Sequence, residues 1–207
     1  MSDHFKISVL ISGGGTTLRN LIEFRQRGAL DANIEHVLSS NPAARGLEYA
    51  NAANIPATVI NHKGFDGVES FSDAVFSSIR DAQTDLVVMG GFLRRLKIPS
   101  EFENRVINIH PSLIPSFSGK GHYGSRVHQG VIDYGCKISG CTVHFVDDQY
   151  DHGPIIAQAS VPVLNNDTPE ELAQRVFAKE CELYPRVINS IAAGGVTVSD
   201  RQVTIKY

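Results

Sequence analysis

The sequence predicts an α/β fold in which a mostly parallel sheet carries helices on both faces and ends in an antiparallel C-terminal part. Two observations lead to this prediction. Apolar stretches of strand length alternate with helical patterns through the first half, as expected for parallel strands joined by right-handed crossovers. In the second half, two strand patterns are separated only by a polar turn, which is typical of a hairpin. Together these features describe a Rossmann-like architecture.

The first half contains the crossover pattern. Apolar segments predict strands at Lys6–Ile11, Ile34–Ser39, Ala57–Ile60, Leu86–Met89 and Arg105–His110. Helical periodicity predicts helices at Thr17–Arg27, Ala43–Ala53 and Ser70–Ala82, which lie between the first four strands. The fourth strand is apolar throughout, as expected when both faces of a sheet are covered.

The second half begins with a glycine-rich loop and ends in a long helix and a short hairpin. A capping box at Thr168–Glu171 marks the start of the long helix, which we expect to reach about Ala193 and to be disturbed near Pro185. The other predicted elements are the loop Gly119–Gly124, a short helix at Ser125–Tyr134, strands at Lys137–Val146 and Pro154–Val163, and a hairpin within Val196–Ile205.

Composition limits the classes of function. The 207 residues suit a single domain spanning 1–207, and 42% hydrophobic content predicts a globular core. A net charge of -3 argues against nucleic-acid binding, which needs a basic face. The apolar run Ile7–Ile11 is too short to cross a membrane. Three cysteines without Cys-x-x-Cys spacing predict free thiols, a reducing compartment and hence a cytoplasmic protein.

A cluster of chemistry-bearing residues is predicted where the fifth strand ends. Asn108 and His110 are two apart in a strand, so their side chains share a face. An Asn amide stabilises a developing oxyanion and a His transfers protons near neutral pH, but both residues also occur as ordinary polar groups at strand ends. Asp151, in the polar turn of the second half, either orients His110 or simply shapes a turn before Gly153.

Two further segments suggest a ligand. Ser12–Leu18 places three glycines and two threonines between the first strand and first helix, which suits one phosphate group or only a tight turn. Glu180 falls on the apolar stripe of the long helix, so it either meets a substrate amine or hydroxyl, or reaches water at the rim. The histidines of the second half lack helix-spaced ligand pairs, and no metal site is predicted.

Five motifs in order carry a family resemblance. They are Ser12-Gly-Gly-Gly-Thr-Thr-Leu18, Gly91-Phe-Leu-Arg94, Asn108-Ile-His-Pro-Ser-Leu-Ile-Pro115, Cys141-Thr-Val-His-Phe-Val146 and Asp151-His-Gly-Pro154. With them the chain resembles the formyl-folate-dependent formyltransferases, and among these the phosphoribosylglycinamide formyltransferases of purine synthesis. The resemblance runs from about Ile7 to Gly195.

The resemblance implies an activity and a set of site residues. The reaction would move the formyl group of 10-formyltetrahydrofolate, a co-substrate, to the amine of phosphoribosylglycinamide, with Asn108, His110 and Asp151 as catalytic residues. Glu180 would bind the glycinamide. The phosphate would lie at Gly15, Thr16, Thr17 and Leu18. The folate would lie against Leu93, Arg94, Arg95, Leu96, Asn108, Asp147, Asp148, Gln149, Tyr150 and Asp151.

Several alternatives share part of this pattern. Formyltetrahydrofolate hydrolase has an additional N-terminal domain and lacks the glycine loop, whereas methionyl-tRNA formyltransferase adds a C-terminal domain and a basic surface. A nucleotide-binding regulatory module without catalysis would explain the fold but leave Asn108, His110 and Asp151 unexplained. We expect small-molecule partners only, no nucleic acid and no membrane, and a monomer or homodimer.

Overall fold

The computed structural model describes residues 5–206 and confirms the predicted fold class. Seven strands form one sheet in the order β3-β2-β1-β4-β5-β6-β7, and two more form a separate antiparallel hairpin, β8-β9. The strands are β1 Phe5–Ile11, β2 Ala32–Ser39, β3 Ala57–Val59, β4 Leu86–Met89, β5 Val106–His110, β6 Ile138–Phe145, β7 Ile155–Pro162, β8 Val196–Ser199 and β9 Gln202–Ile205.

Within the described part of the chain, five α-helices and two short 3₁₀ turns connect the strands. The helices are α1 Thr16–Gln26, α2 Gly46–Ala52, α3 Val68–Asp81, α4 Ser125–Tyr134 and α5 Pro169–Ala192; the 3₁₀ turns are His62–Gly64 and Ser100–Phe102. No helix within residues 5–206 is both long and apolar enough to cross a membrane.

The backbone forms two compact units, Met1–Ile107 and Asn108–Tyr207, whose boundary falls inside β5. In the first unit, β1 pairs in parallel with both β2 and β4. Its apolar side chains from Ile7 to Ile11 are fully buried, as expected for the central strand of a sheet covered on two faces. The prediction of a single domain stays a prediction.

The second unit contains the antiparallel part. β6 pairs with β7 in the predicted hairpin, with an irregularity in register between Val143 and His144. Helix α5 starts with the predicted capping box, in which Thr168 and Glu171 bond to each other's backbone N–H groups. The helix continues through the buried Pro185, so the predicted disturbance there does not interrupt it.

One predicted boundary differs from the structure for a physical reason. Helix α2 begins at Gly46, three residues after the predicted Ala43. A Cβ on Gly15 would lie 2.4 Å from the Gly46 Cα, and the Gly46 N–H donates to the Gly13 carbonyl at 3.1 Å. This backbone contact fixes where the helix starts, and a hydrophobic pattern contains no information about it.

Candidate active site

Asn108 and His110 lie in β5, the strand that the sequence singled out. The two residues are two apart along the strand, so the pleat directs both side chains to one face. Asn108 is half-buried and His110 is almost fully buried. A buried imidazole next to a partly open amide is an arrangement that can receive a small polar ligand.

The structure brings His110 and Asp151 together. His110 Nδ1 lies 3.4 Å from Asp151 Oδ2, an ion-pair separation, while His110 Nε2 donates to the Phe117 carbonyl at 2.9 Å. Asp151 Oδ2 also accepts a hydrogen bond from the Gly119 N–H at 2.9 Å. Both imidazole nitrogens therefore face oxygens, and an imidazolium with a proton on each nitrogen satisfies both contacts.

The amide of Asn108 is oriented by a residue that the sequence analysis did not select. Asn108 Nδ2 lies 3.3 Å from His144 Nε2, and His144 Nδ1 lies 2.7 Å from the carbonyl of Phe145. That carbonyl requires the proton on Nδ1, so Nε2 accepts from the amide. Burial lowers the pKa of His144, which keeps this neutral tautomer. The available sequence signal was the position of His144 within the strand predicted at Lys137–Val146.

The turn that carries Asp151 has an unusual backbone. Asp151 adopts a left-handed conformation with φ of 51°, which Asp tolerates better than most residues. A Cβ on Gly153 would lie 1.9 Å from the Phe145 carbonyl oxygen, so only glycine fits there. Of the predicted folate contacts in this turn, Asp147 is half-buried, whereas Asp148, Gln149 and Tyr150 are exposed.

The cluster offers a donor and an acceptor to a ligand. One N–H of the Asn108 amide is used by His144, which leaves the second N–H free to donate. Asp151 Oδ1 lies 3.8 Å from the acceptor nitrogen of His144, and within residues 5–206 no group donates to that oxygen. The cluster can therefore both stabilise an oxyanion and accept a proton.

The predicted phosphate loop lies in the first unit. Gly15 precedes helix α1 with a left-handed φ of 71°, and no side chain among residues 5–206 caps the helix N-terminus. Uncapped N–H groups at a helix start attract anions. Thr16 is exposed and Thr17 half-buried, but the side chain of Leu18 is fully buried in the core. Leu18 can therefore contribute only its backbone to a ligand.

The predicted folate-binding segment of the first unit, Leu93–Leu96, contains both exposed and buried side chains. Leu93 is 53% exposed, a high value for a large apolar side chain, and its N–H donates to the Ser12 hydroxyl at 3.0 Å. Arg94 and Arg95 are also exposed, whereas Leu96 is buried. The side chain of Leu93 is thus available to a ligand, whereas that of Leu96 packs in the core and anchors the segment.

Glu180 lies on α5 among the buried side chains of Val176, Leu183 and Tyr184. Burial raises the pKa of its carboxyl to about 7. Within residues 5–206 no hydrogen-bond donor or cation faces this carboxyl, although the residue retains some solvent exposure. Burial, and secondarily the Glu180 charge, raises the pKa of the Cys141 thiol to about 12. Glu180 is therefore an acceptor without a protein partner.

His128, in the first turns of α4, is another buried titratable group. Its Nδ1 has no hydrogen-bond partner within residues 5–206, and burial together with the nearby His110 lowers its pKa. His128 is thus a neutral neighbour of His110. Across the same residues, no group of three or more His, Cys, Asp or Glu side chains has an arrangement that could hold a metal ion.

The chain is similar to known proteins over most of its length. The chain is 39% identical over 189 residues to a chloroplastic phosphoribosylglycinamide formyltransferase of Vigna unguiculata, and 39% identical over 197 residues to a trifunctional purine biosynthetic protein adenosine-3 of Bos taurus. These matches cover 90% and 94% of the chain, which spans 60% and 19% of the relatives' lengths.

A solved structure matches over nearly its whole length. The glycinamide ribonucleotide transformylase 1 of Symbiobacterium toebii superimposes with a TM-score of 0.92 at 36% identity, covering 99% of this chain and 95% of the other. The family model described as formyl transferase matches residues 5–188, which include every candidate site residue described above. The chain therefore belongs to the formyl transferase family.

Proposed function

We propose that this chain transfers the formyl group of 10-formyltetrahydrofolate to the amine of phosphoribosylglycinamide, a step of de novo purine synthesis. The single observation that carries the proposal is the cluster of Asn108, His110 and Asp151, in which a free amide N–H and a free carboxylate oxygen both lie near His144 Nε2. The named activities of the relatives support it. We further propose a cytoplasmic location, because three cysteines without Cys-x-x-Cys spacing predict a reducing compartment.

In the proposed reaction, the neutral amine attacks the formyl carbon and a new carbon–nitrogen bond forms. The tetrahedral intermediate carries a negative oxygen, to which Asn108 donates and which the imidazolium of His110 stabilises electrostatically. The bond from carbon to the folate nitrogen then breaks. One proton leaves the attacking amine, and one proton reaches the folate nitrogen.

We assign that proton transfer to Asp151 rather than to His110. Both nitrogens of His110 already face oxygens, whereas Asp151 Oδ1 receives no hydrogen bond from residues 5–206. This oxygen can take the amine proton and return it to the folate nitrogen, directly or through a water molecule. His110 then orients the Asp151 carboxylate through the 3.4 Å contact between its Nδ1 and Asp151 Oδ2.

Three segments are proposed to bind the substrates. Gly15, Thr16 and Thr17 would hold the phosphate through the start of α1. The unpartnered carboxyl of Glu180 would accept from the glycinamide. Leu93–Leu96 and Asp147–Asp151 would each contact the folate.

A formyl-transfer assay tests the proposal and its nearest alternative. Purified protein is mixed with 10-formyltetrahydrofolate, with and without phosphoribosylglycinamide, and the deformylated folate is measured spectroscopically. Turnover that depends on the acceptor supports the proposal. Equal turnover with water alone would instead indicate a formyltetrahydrofolate hydrolase, and absence of turnover in both reactions would refute both activities.

A further inference from the structure

The turn that carries Asp151 is held by a residue near the end of the chain. Asp200 and Arg201 form the two-residue turn between β8 and β9, where Ser199 pairs with Gln202. Arg201 Nη2 donates to the backbone carbonyl of His152 at 2.7 Å, and Arg201 Nη1 lies 3.4 Å from His152 Nε2. One guanidinium therefore contacts both the main chain and the side chain of the residue that follows Asp151.

The side chain of His152 also contacts Asp147, at the other end of the turn. Its Nδ1 lies 2.6 Å from Asp147 Oδ2, and Asp147 Oδ1 accepts from the Gln149 N–H at 2.9 Å. A proton on Nδ1 satisfies Asp147 and leaves Nε2 as the acceptor for Arg201. We call the three residues Asp147, His152 and Arg201 the turn clamp. The clamp joins the two ends of the turn to the hairpin β8-β9.

We propose that Arg201 is a positioning residue for Asp151. His152 is the next residue after Asp151, so a fixed direction of the His152 carbonyl restricts the left-handed backbone conformation of Asp151. The position of the Asp151 carboxylate depends on that conformation. This carboxylate must stay against His110 and the Gly119 N–H. The inference rests on the function proposed above. Arg201 also lies beyond the segment, residues 5–188, that matches the family model.

The chemistry of arginine suits this role. Its planar fork places two N–H groups in a fixed geometry, so one side chain reaches two acceptors of the same residue. Lysine carries one flexible ammonium group and can reach only one of the two acceptors in a defined direction. Arg201→Lys should therefore retain part of the effect, and Arg201→Ala none of it.

The clamp should act on rate and leave stability nearly unchanged. His152 and Asp147 keep 46% and 35% of their side-chain surface exposed, and exposed ion pairs stabilise proteins only slightly. A small displacement of a reacting group, however, lowers a rate by up to roughly 10²-fold. The expected signature of Arg201→Ala is a kcat lowered about 10-fold, with the KM for phosphoribosylglycinamide and the melting temperature nearly unchanged.

A double-mutant cycle separates positioning from a general surface effect. If Arg201 acts through the Asp151 carboxylate, Arg201→Ala should lower kcat about 10-fold in the native background and less than about 2-fold in the Asp151→Asn background. Arg80→Ala is the matched control, since Arg80 is another surface arginine that makes an exposed contact, in its case with Glu101. A kcat within 2-fold of the native value, or an equal loss in both backgrounds, would overturn the proposal.

A crystal structure of Arg201→Ala gives a readout independent of activity. The Asp151 carboxylate should leave the Gly119 N–H or become disordered, and an unchanged carboxylate would overturn the proposal. If the native protein transfers no formyl group, the proposed function fails while this structural test still decides whether the clamp holds the turn. If Arg201→Ala does not fold, the same cycle and structure with Arg201→Lys decide the question.

Discussion

At the scale of single residues, the site depends on which nitrogen of each histidine carries a proton. The Phe145 carbonyl fixes the proton of His144 on Nδ1, and the remaining lone pair orients the Asn108 amide. His110 instead faces oxygens with both nitrogens. His110 and His144 therefore have different roles, although both lie close to Asp151. His110 has a hydrogen-bond acceptor at each nitrogen, whereas His144 has an acceptor at Nδ1 and the Asn108 amide donor at Nε2.

Removing the Asn108 amide should affect the chemical step. Asn108→Ala should lower kcat about 10²–10³-fold, as for the loss of an oxyanion donor, with a small effect on the KM values. Steady-state kinetics with both substrates varied would measure this change. A raised KM with native kcat would mean that Asn108 only binds substrate.

The carboxyl of Glu180 makes stability depend on pH. Its folded pKa of about 7 lies above the reference value of 4.5, so between these values the folded chain holds a proton that the unfolded chain has lost. Its contribution to the free energy of unfolding is complete below pH 4.5 and declines as pH rises through about 7. Glu180→Gln removes this decline, and urea titrations should show the variant gaining about 2–3 kcal/mol over the native chain between pH 5 and 8.

The same variant should lose affinity for one substrate only. A charged hydrogen bond contributes about 1.5–3 kcal/mol, so the KM for phosphoribosylglycinamide should rise roughly 10–100-fold while the folate KM stays nearly constant. Glu182→Gln is the control, because Glu182 is exposed and pairs with Lys179. Equal changes in both KM values would contradict a glycinamide contact.

At the scale of elements, hydrophobic patterns did not predict where α2 begins. Two glycines, Gly15 before α1 and Gly46 at the start of α2, explain that boundary. Periodicity predicted the presence and type of every strand and α-helix, and the capping box at Thr168 located the start of α5. The start of α2 depends instead on the contact of Gly15 with Gly46. Contacts between residues distant in sequence leave no periodic signal.

The same limit applies to the candidate site. Residue patterns suggested a shared strand face for Asn108 and His110 and a contact between Asp151 and His110, and the resemblance assigned all three to catalysis. Neither source selected His144, because its role follows from a tautomer that the Phe145 carbonyl fixes. Neither selected Arg201, because its contact with His152 arises only when the hairpin β8-β9 has folded.

The contact between the two glycines gives a prediction for the glycine loop. Gly15→Ala would combine a left-handed φ with a Cβ 2.4 Å from the Gly46 Cα. We expect a loss of at least about 2 kcal/mol in the free energy of unfolding, with weaker phosphate binding because the start of α1 must shift. Urea denaturation and calorimetric titration with phosphate measure the two effects.

Gly14→Ala provides the control for the loop. Gly14 is exposed, and a Cβ there would meet nothing within 4 Å. Its stability should stay within about 0.5 kcal/mol of the native chain, as for ordinary surface substitutions. If Gly15→Ala is as stable as Gly14→Ala, the approach of the two backbones does not constrain the loop.

At the scale of the whole molecule, the chain consists of two compact units and is nevertheless expected to behave as one domain. The boundary between Ile107 and Asn108 falls inside β5. Independent domains are usually joined by exposed linkers that few contacts cross. Here the boundary divides a strand whose residues on both sides are largely buried, so separating the units would break that strand.

Thermal unfolding should therefore occur in one transition. Unfolding enthalpy is about 0.7 kcal/mol per residue near 60 °C, so the 207 residues predict about 145 kcal/mol for the whole chain. If the units unfold together, the van't Hoff enthalpy should equal this calorimetric value. If each unit unfolds alone, the van't Hoff enthalpy should be roughly half the calorimetric value. Phosphate should then stabilise only the unit that contains the glycine loop, so that two transitions separate. Scanning calorimetry with and without phosphate distinguishes these outcomes, and a van't Hoff enthalpy near half the calorimetric value would contradict the single-domain prediction.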